Sequence, residues 1–381
     1  MKKKLKLYLF PIVVGMVMSI GAQEVQSKET LVFVSAMAAG EEGAIHAYQL
    51  EVVTGRMSLA ERTTDVDLPF FLALSPDRKF LYSIHAPEGF GGKSHEQIAA
   101  YSIVGSAGQL KLLNRQSALG AAACYLDVDA TGKTVVVANY STGSVASFPV
   151  REDGSLGKAA SFVEHTGSSV VSSRQAEPHA HCFVISPDNR FAYVADLGLD
   201  QVLGYRLDVE AGKLSPNRQP FVRTPPGAGP RHLTFHPKGN HVYVINELSN
   251  SVTGFDYDDK SGILIEKQTI STLPKDFDGK SYCADLKITP NGRFLYGTNR
   301  GHDSIAAYRI DEEGRLALLN IVPSRGKSPQ NLAITPGGEL LLCANMSGNN
   351  VVLFKINPQS GELAQIGEPI AIPSPSCIMI R

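Results

Sequence analysis

Between His179 and Asp196 the chain runs apolar, polar, apolar: a strand-length stretch over Cys182–Ile185, a Ser-Pro-Asp-Asn turn, and a second stretch over Phe191–Ala195 that stops at Asp196. Short apolar runs bounded by turn residues predict strands, and two across one tight turn predict a hairpin. The unit recurs as FFLALSPDRKFLYSIH, ACYLDVDATGKTVVVAN, HCFVISPDNRFAYVAD, RHLTFHPKGNHVYVIN, ADLKITPNGRFLYGTN and NLAITPGGELLLCAN. Its turn falls at Pro76, Ala130, Pro187, Pro237, Pro290 and Pro336, in steps of 54, 57, 50, 53 and 46 residues. After each hairpin comes a third strand, such as QIAAYSI or SIAAYRI, and after a Gly turn a fourth, such as GQLKLLN, GSLGKAA or GRLALLN. Four strands at this period predict the blades of a β-propeller.

A seventh blade is split between the two ends of the chain. LVFVSA (31–36) matches a second strand, GAIHAYQL a third and GRMSLAERT a fourth, while the missing first strand stands at the other end as PSCIMI before Arg381. Pairing it with the N-terminal strands closes the ring and removes an exposed sheet edge. The expectation is an all-β, seven-bladed propeller forming one domain over residues 30–381.

What precedes residue 30 reads differently. Lys2, Lys3, Lys4 and Lys6 lead into an apolar run from Leu7 to Ile20 that ends at Gly21-Ala22. This predicts a signal peptide over 1–22, a short linker over 23–29, and a mature protein in the periplasm or outside the cell. The 36 basic and 37 acidic residues balance to a net charge of -1, which points to no nucleic-acid partner and, after signal cleavage, no membrane partner. Five cysteines in an odd count with no CxxC spacing suggest buried free thiols rather than a disulfide framework. No His-Glu-His spacing argues for a metal.

The repeat supplies its own control. A residue found at one position in every blade holds blades together; one that departs from its repeat is a candidate for function. Pro-Asp, Pro-Asn and Pro-Gly at the turns suit tight turn geometry. His85, Asn139, Asp196, Asn246, Asn299 and Asn345 end the second strands, as strand terminators that also offer a polar floor to a site. Six residues before each turn stand Phe70, Cys124, His181, Arg231, Ala284 and Gln330; just after the Asn ring stand Ala86, Tyr140, Leu197, Glu247, Arg300 and Met346. Charge in these sets is confined to His181, Arg231, Glu247 and Arg300. The start of one hairpin strand lies beside the end of the other, so these four should converge at one mouth of the central channel, over the fourth to sixth blades. Asp285, one position off the first set, and His179 belong to the same sector, Gln330 to the same face. His85 and His95 flank a Gly-rich loop that should overhang that face, as should His165–Glu177 and Leu273–Lys280. His232, His236 and His241 are read as residues of the blade body.

The motifs PHAHCFVISPDNRFAYVADLG, GAGPRHLTFHPKGNHVYVINEL, ADLKITPNGRFLYGTNRGHDSI and SPQNLAITPGG resemble the lactonase family of seven-bladed propellers, which includes propeller-type 6-phosphogluconolactonase and is similar to fungal carboxy-muconate cyclases. The resemblance covers the mature chain. It implies lactone-ring chemistry with no metal or nucleotide cofactor and a small-molecule lactone or sugar acid as the partner. It also implies functional positions at His181, Arg231, Glu247 and Arg300, with His179 close by. The chain departs from the pattern at His85-Ala86-Pro87, where relatives often carry an Asn-Glu pair. The expected reaction is water attack on a lactone carbonyl, with Arg231 and Arg300 stabilising the oxyanion and Glu247 and His181 sharing the acid and base roles. Two other readings stand beside it: cyclisation of a muconate-like diacid by the same residues, with the arginines gripping carboxylates, and a binding propeller without chemistry for a peptide or envelope glycan.

Overall fold

The computed structural model describes Met1, residues 29–91 and residues 96–381. The expected signal peptide, most of the linker and His95 lie outside the described residues. Seven antiparallel sheets of four strands each follow one another around a ring, and each begins with its innermost strand. Blade one is the split one: Pro375–Ile380 pairs with Glu29–Ala36, Ile378 lying opposite Val34, and closes the ring as expected. The other six inner strands are Leu72–Leu74, Ala123–Val128, Ala180–Ile185, Pro230–Phe235, Tyr282–Ile288 and Pro329–Ile334.

Second strands are the driest part of each blade, with Thr134–Asn139, Phe191–Asp196, His241–Asn246 and Leu340–Asn345 buried along their whole length. Both faces of each pack on neighbouring blades, so they read as continuous apolar runs, which is why the hairpins stand out in the sequence. Two residues past each turn the backbone is left-handed, at Arg78, Gly132, Asn189, Gly239, Gly292 and Gly338. That explains the Asn and Gly there. Adjacent blades are stitched by a repeated bond: the hydroxyls of Tyr82, Tyr193, Tyr243 and Tyr296 donate to the carbonyls of Gly154, Gly262, Gly314 and Gly361 in the following blade. A Cβ on Gly262 would stand 2.5 Å from the Phe191 ring, so this turn needs glycine for close approach.

One expectation fails. The fourth strand of blade three is not GSLGKAA but Ser161–Glu164, and the predicted stretch holds only an isolated bridge between Val150 and Leu156. Gly157 folds back to donate to the Pro149 carbonyl, which delays the strand.

The feature that makes a site is a bulge. In blades three, four, five and seven the register of the inner strand slips across Cys124, His181, Arg231 and Gln330; in blade six it slips across Ala284 and Asp285. An extra residue in one strand is left unpaired and its side chain is re-aimed. Asp285 apart, these positions belong to the set found six residues before each turn; Phe70, its member in blade two, precedes a three-residue strand that pairs without a slip.

Candidate active site

At one mouth of the channel a cavity of about 300 Å³ is lined by Phe70, Phe90, Cys124, Tyr140, Arg174, His181, Arg231, Glu247, Arg300, Ser328, Gln330 and Met346. Nine of these belong to the two sets defined by the repeat. A larger groove of about 740 Å³, around the turn residues Pro76 and Lys133, contains none of them.

Glu247 is the centre. Its Oε1 accepts from Arg174 at 2.6 Å, and its Oε2 accepts from Arg231 at 3.0 Å and Arg300 at 2.8 Å. Burial alone would raise its pKa, but Arg300, Arg231 and Arg174 overcome that and hold it down at about 2. Arg231 is 2% exposed, and burial and the nearby Arg300 lower its guanidinium to about 10, still cationic at neutral pH. Its Nε is taken by Glu247, and its Nη1 donates to the Ala284 carbonyl and to His232 Nε2. Among the described residues Nη2 has no hydrogen-bond partner. Arg300 is fixed by the carbonyls of Tyr282 and Cys283. Arg174 also donates to the Tyr140 hydroxyl at 3.3 Å.

His181 stands beside Cys124, its Nδ1 3.6 Å from the sulfur, and edge-on to Tyr140 and His232. Burial first, then Arg231, pushes its pKa well below the ordinary value, so the ring is neutral. Burial pushes the Cys124 thiol up to about 12, which removes it as a nucleophile. Phe70 and Phe90 pack at a tilt as an apolar wall, with centroids 4.7 Å apart. Three cations around one carboxylate suit an anion far better than a cation. Among the described residues no three His, Cys, Asp or Glu side chains group as a metal would require.

The structure therefore gathers His181, Arg231, Glu247, Arg300 and Gln330 into one cavity. Other expected site residues lie elsewhere. His179 stacks behind Tyr140, at 4.3 Å and nearly parallel, and backs the wall rather than lining it. Asp285 is buried beneath the cavity, bonded to His232 and Lys287. Asn246 and Asn299 are fully buried and tie the second strand to the third through Ser251 and Ser304, so they form no polar floor. His85 is fully buried against the Tyr101 hydroxyl, and burial lowers it to about 3. Strand alternation explains these failures: the last residue of the second strand points into the blade, the next one into the cavity.

Two contributors were missed. Arg174 sits on the segment between blades three and four and Phe90 on the Gly-rich loop between the second and third strands of blade two, where no repeat supplies a comparison; both segments were expected to overhang this face, but neither residue was singled out. His232, expected in the blade body, instead faces the channel among Phe71, Tyr125 and His181. All five cysteines are free and buried.

Three neutral buried histidines make the fold acid-sensitive. His85 and His232 are lowered to about 3 and about 4 and His181 lies well below its ordinary value, whereas unfolded rings protonate near 6.5. Below that value the unfolded chain takes up protons that the native one refuses. Each ring then costs about 1.4 kcal/mol per pH unit. The Asp127 carboxyl, raised by burial to about 7, works the other way and offsets about one of the three rings. Thermal unfolding at pH 8, 7, 6 and 5 should still give a Tm that is nearly level at first and falls below about pH 6.5. A Tm unchanged down to pH 5 would contradict the neutral rings.

With fold and cavity defined, the protein class follows. The family model described as lactonase, 7-bladed beta-propeller matches residues 31–380, and the chain belongs to that family of enzymes. The 6-phosphogluconolactonase of Bacillus subtilis is 35% identical, over 89% of this chain and 94% of that protein. A protein of the same name from Formosa agariphila is 33% identical, over 88% and 95%. The solved structure of a periplasmic gluconolactonase from Pseudomonas aeruginosa superposes with a TM-score of 0.86 at 31% identity, covering 92% of this chain and 99% of that one.

Proposed function

We propose that this enzyme hydrolyses a sugar-type lactone that carries an anionic group. The observation that carries the reading is the charge of the cavity. Arg174, Arg231 and Arg300 against Glu247 alone, three positive charges minus one negative, leave two net positive charges beside a neutral imidazole. The names of the related enzymes support the lactone, and the arginines support an acidic substituent such as a phosphate or a carboxylate. The periplasmic relative and the Lys-led apolar N-terminus support export, where a plain or oxidised sugar lactone is as accessible as a phosphorylated one.

In this reading water attacks the lactone carbonyl as His181 takes its proton. Charge develops on the carbonyl oxygen, where Arg231 Nη2 and Arg300 offer donors. The carbon–ring-oxygen bond then breaks, and the imidazolium returns its proton to the departing alkoxide. The role first expected for Glu247 changes: a carboxylate with three guanidinium partners and a pKa of about 2 is a poor base. It serves to hold the guanidiniums together. Burial suppresses His181 first and the charges of Arg231 and Arg300 add to it; an anion bound beside those arginines offsets the second part, so substrate itself makes the base stronger.

Arg174, one-third exposed at the rim, is the expected grip on the anionic substituent. Arg174→Ala should raise KM for 6-phosphogluconolactone by about tenfold or more, the worth of one charge-assisted hydrogen bond. It should leave KM for plain gluconolactone nearly unchanged. Hydrolysis of both lactones, followed by proton release, tests this. Equal KM changes for the two would remove Arg174 from the role. No acceleration of either lactone over spontaneous opening would remove the hydrolase reading.

A further inference from the structure

Beneath the cavity a chain of buried polar groups ends on Arg231. Lys287 Nζ donates to both oxygens of Asp285, at 2.9 and 2.8 Å. Asp285 Oδ1 meets His232 Nδ1 at 2.9 Å, and His232 Nε2 meets Arg231 Nη1 at 3.1 Å. Asp285 is 1% exposed and its Oδ2 also accepts from Asn331 Nδ2 and the Leu332 amide. The Asn331 side-chain Oδ1 in turn accepts from the Ile378 amide in the ring-closing strand. The belt thus crosses blades five, six, seven and one.

Proton bookkeeping along this chain has one solution. A guanidinium nitrogen only donates, so His232 Nε2 must accept and carry no proton. The ring proton then sits on Nδ1, where the Asp285 carboxylate receives it. The rings of Tyr125 and His181, with centroids 4.9 and 5.4 Å from that of His232, and Phe71 edge-on at 6.1 Å leave the imidazole no room to turn away. With both hydrogens of Nη1 engaged by Ala284 and His232 and Nε engaged by Glu247, the plane of the guanidinium is set. Nη2 is left for the cavity.

We propose that Asp285 and His232 are positioning residues for the reaction, fixing one imidazole tautomer and through it the aim of Arg231. The proposal rests on the lactone-hydrolase reading only for its kinetic consequence; the tautomer and the guanidinium plane stand apart from it. The repeat supports it: at the position after the bulge, blades three, four and one carry Tyr125, Cys182 and Cys377 and blade two carries Phe71, whereas blades five and seven carry His232 and Asn331, both of which donate to Asp285, and of these it is His232 that meets Arg231.

The test has a spectroscopic and a kinetic arm. In the wild-type protein labelled with ¹⁵N-histidine, His232, assigned by loss of its signals in His232→Phe, should show a protonated Nδ1 and a bare Nε2 at neutral pH. A proton on Nε2 would overturn the proposal. His232→Phe keeps the ring packing but removes the acceptor, and should lower kcat on the lactone by about 10²-fold with KM changed less than about threefold. His232→Gln returns an acceptor and should recover part of kcat. A His232→Phe enzyme with wild-type kcat, or a Gln variant no better than Phe at equal Tm, would overturn it. Should the wild-type protein open no lactone, the hydrolase reading falls while the spectrum still decides the tautomer. Should His232→Phe fail to fold, Asp285→Asn provides the assignment and the kcat comparison.

Discussion

Glu247→Gln should cost about 3–5 kcal/mol of stability and remove most turnover. The carboxylate is 6% exposed and is the shared partner of Arg174, Arg231 and Arg300. Removing one member of a buried ion cluster leaves uncompensated charge, and that is the costly direction. The amide offers one acceptor where two anionic oxygens served three guanidiniums, so the arginines must separate. Because the folded pKa of Glu247 is depressed to about 2, its stabilisation is fully present above the ordinary carboxyl value near 4.5 and is lost only as pH falls through about 2. The deficit of the variant should therefore be the same at every pH from 6 to 8. Urea unfolding across that range measures it. A variant within about 0.5 kcal/mol of the wild type would show that the cluster is a solvated arrangement of little worth.

Arg231→Lys should leave substrate binding largely intact and lower kcat by about 10²- to 10³-fold, the usual loss on removing one donor to a developing oxyanion. The two side chains share a charge and differ in shape. A guanidinium fork reaches Glu247, the Ala284 carbonyl and His232 at once and still presents Nη2 to the cavity. An ammonium on a shorter stem cannot reproduce that planar set. Steady-state kinetics separate the cases: a fall in kcat at constant KM is expected, whereas a rise in KM at constant kcat would make Arg231 a binding residue with no special role in the transition state.

The fold was legible because each blade repeats one hairpin, and a hairpin with both faces buried writes an unbroken apolar run on either side of its turn. The candidate site was legible for a subtler reason. The bulge lies at the same distance from the turn in blade after blade, so counting back from Pro187 and Pro237 lands on the residues whose side chains the bulge turns into the channel mouth, His181 and Arg231. What the count could not see was anything without a counterpart. Arg174 rides on a strap found between two blades only. That strap is anchored by Gln175 and Ser169 to the buried Asp200, whose carboxylate also receives the amides of Gly227 and Gly229 just before the Arg231 strand. His232 was misplaced because alternation past a bulge no longer tells inside from outside. His85, Asn246 and Asn299 were misplaced by one residue of strand parity, which separates a side chain facing the cavity from one facing the blade.

The central claim is that residues unlike their counterparts in neighbouring blades form one catalytic unit. Its most direct measurement is the rate of proton release from a sugar lactone, with and without phosphate, in the presence of the wild-type protein and of His181→Ala, Arg231→Lys, Glu247→Gln and Arg300→Ala in turn. The account predicts opening well above the spontaneous rate for the wild type, and each variant reduced toward that rate by 10²-fold or more. Four variants that all keep the wild-type rate would contradict it.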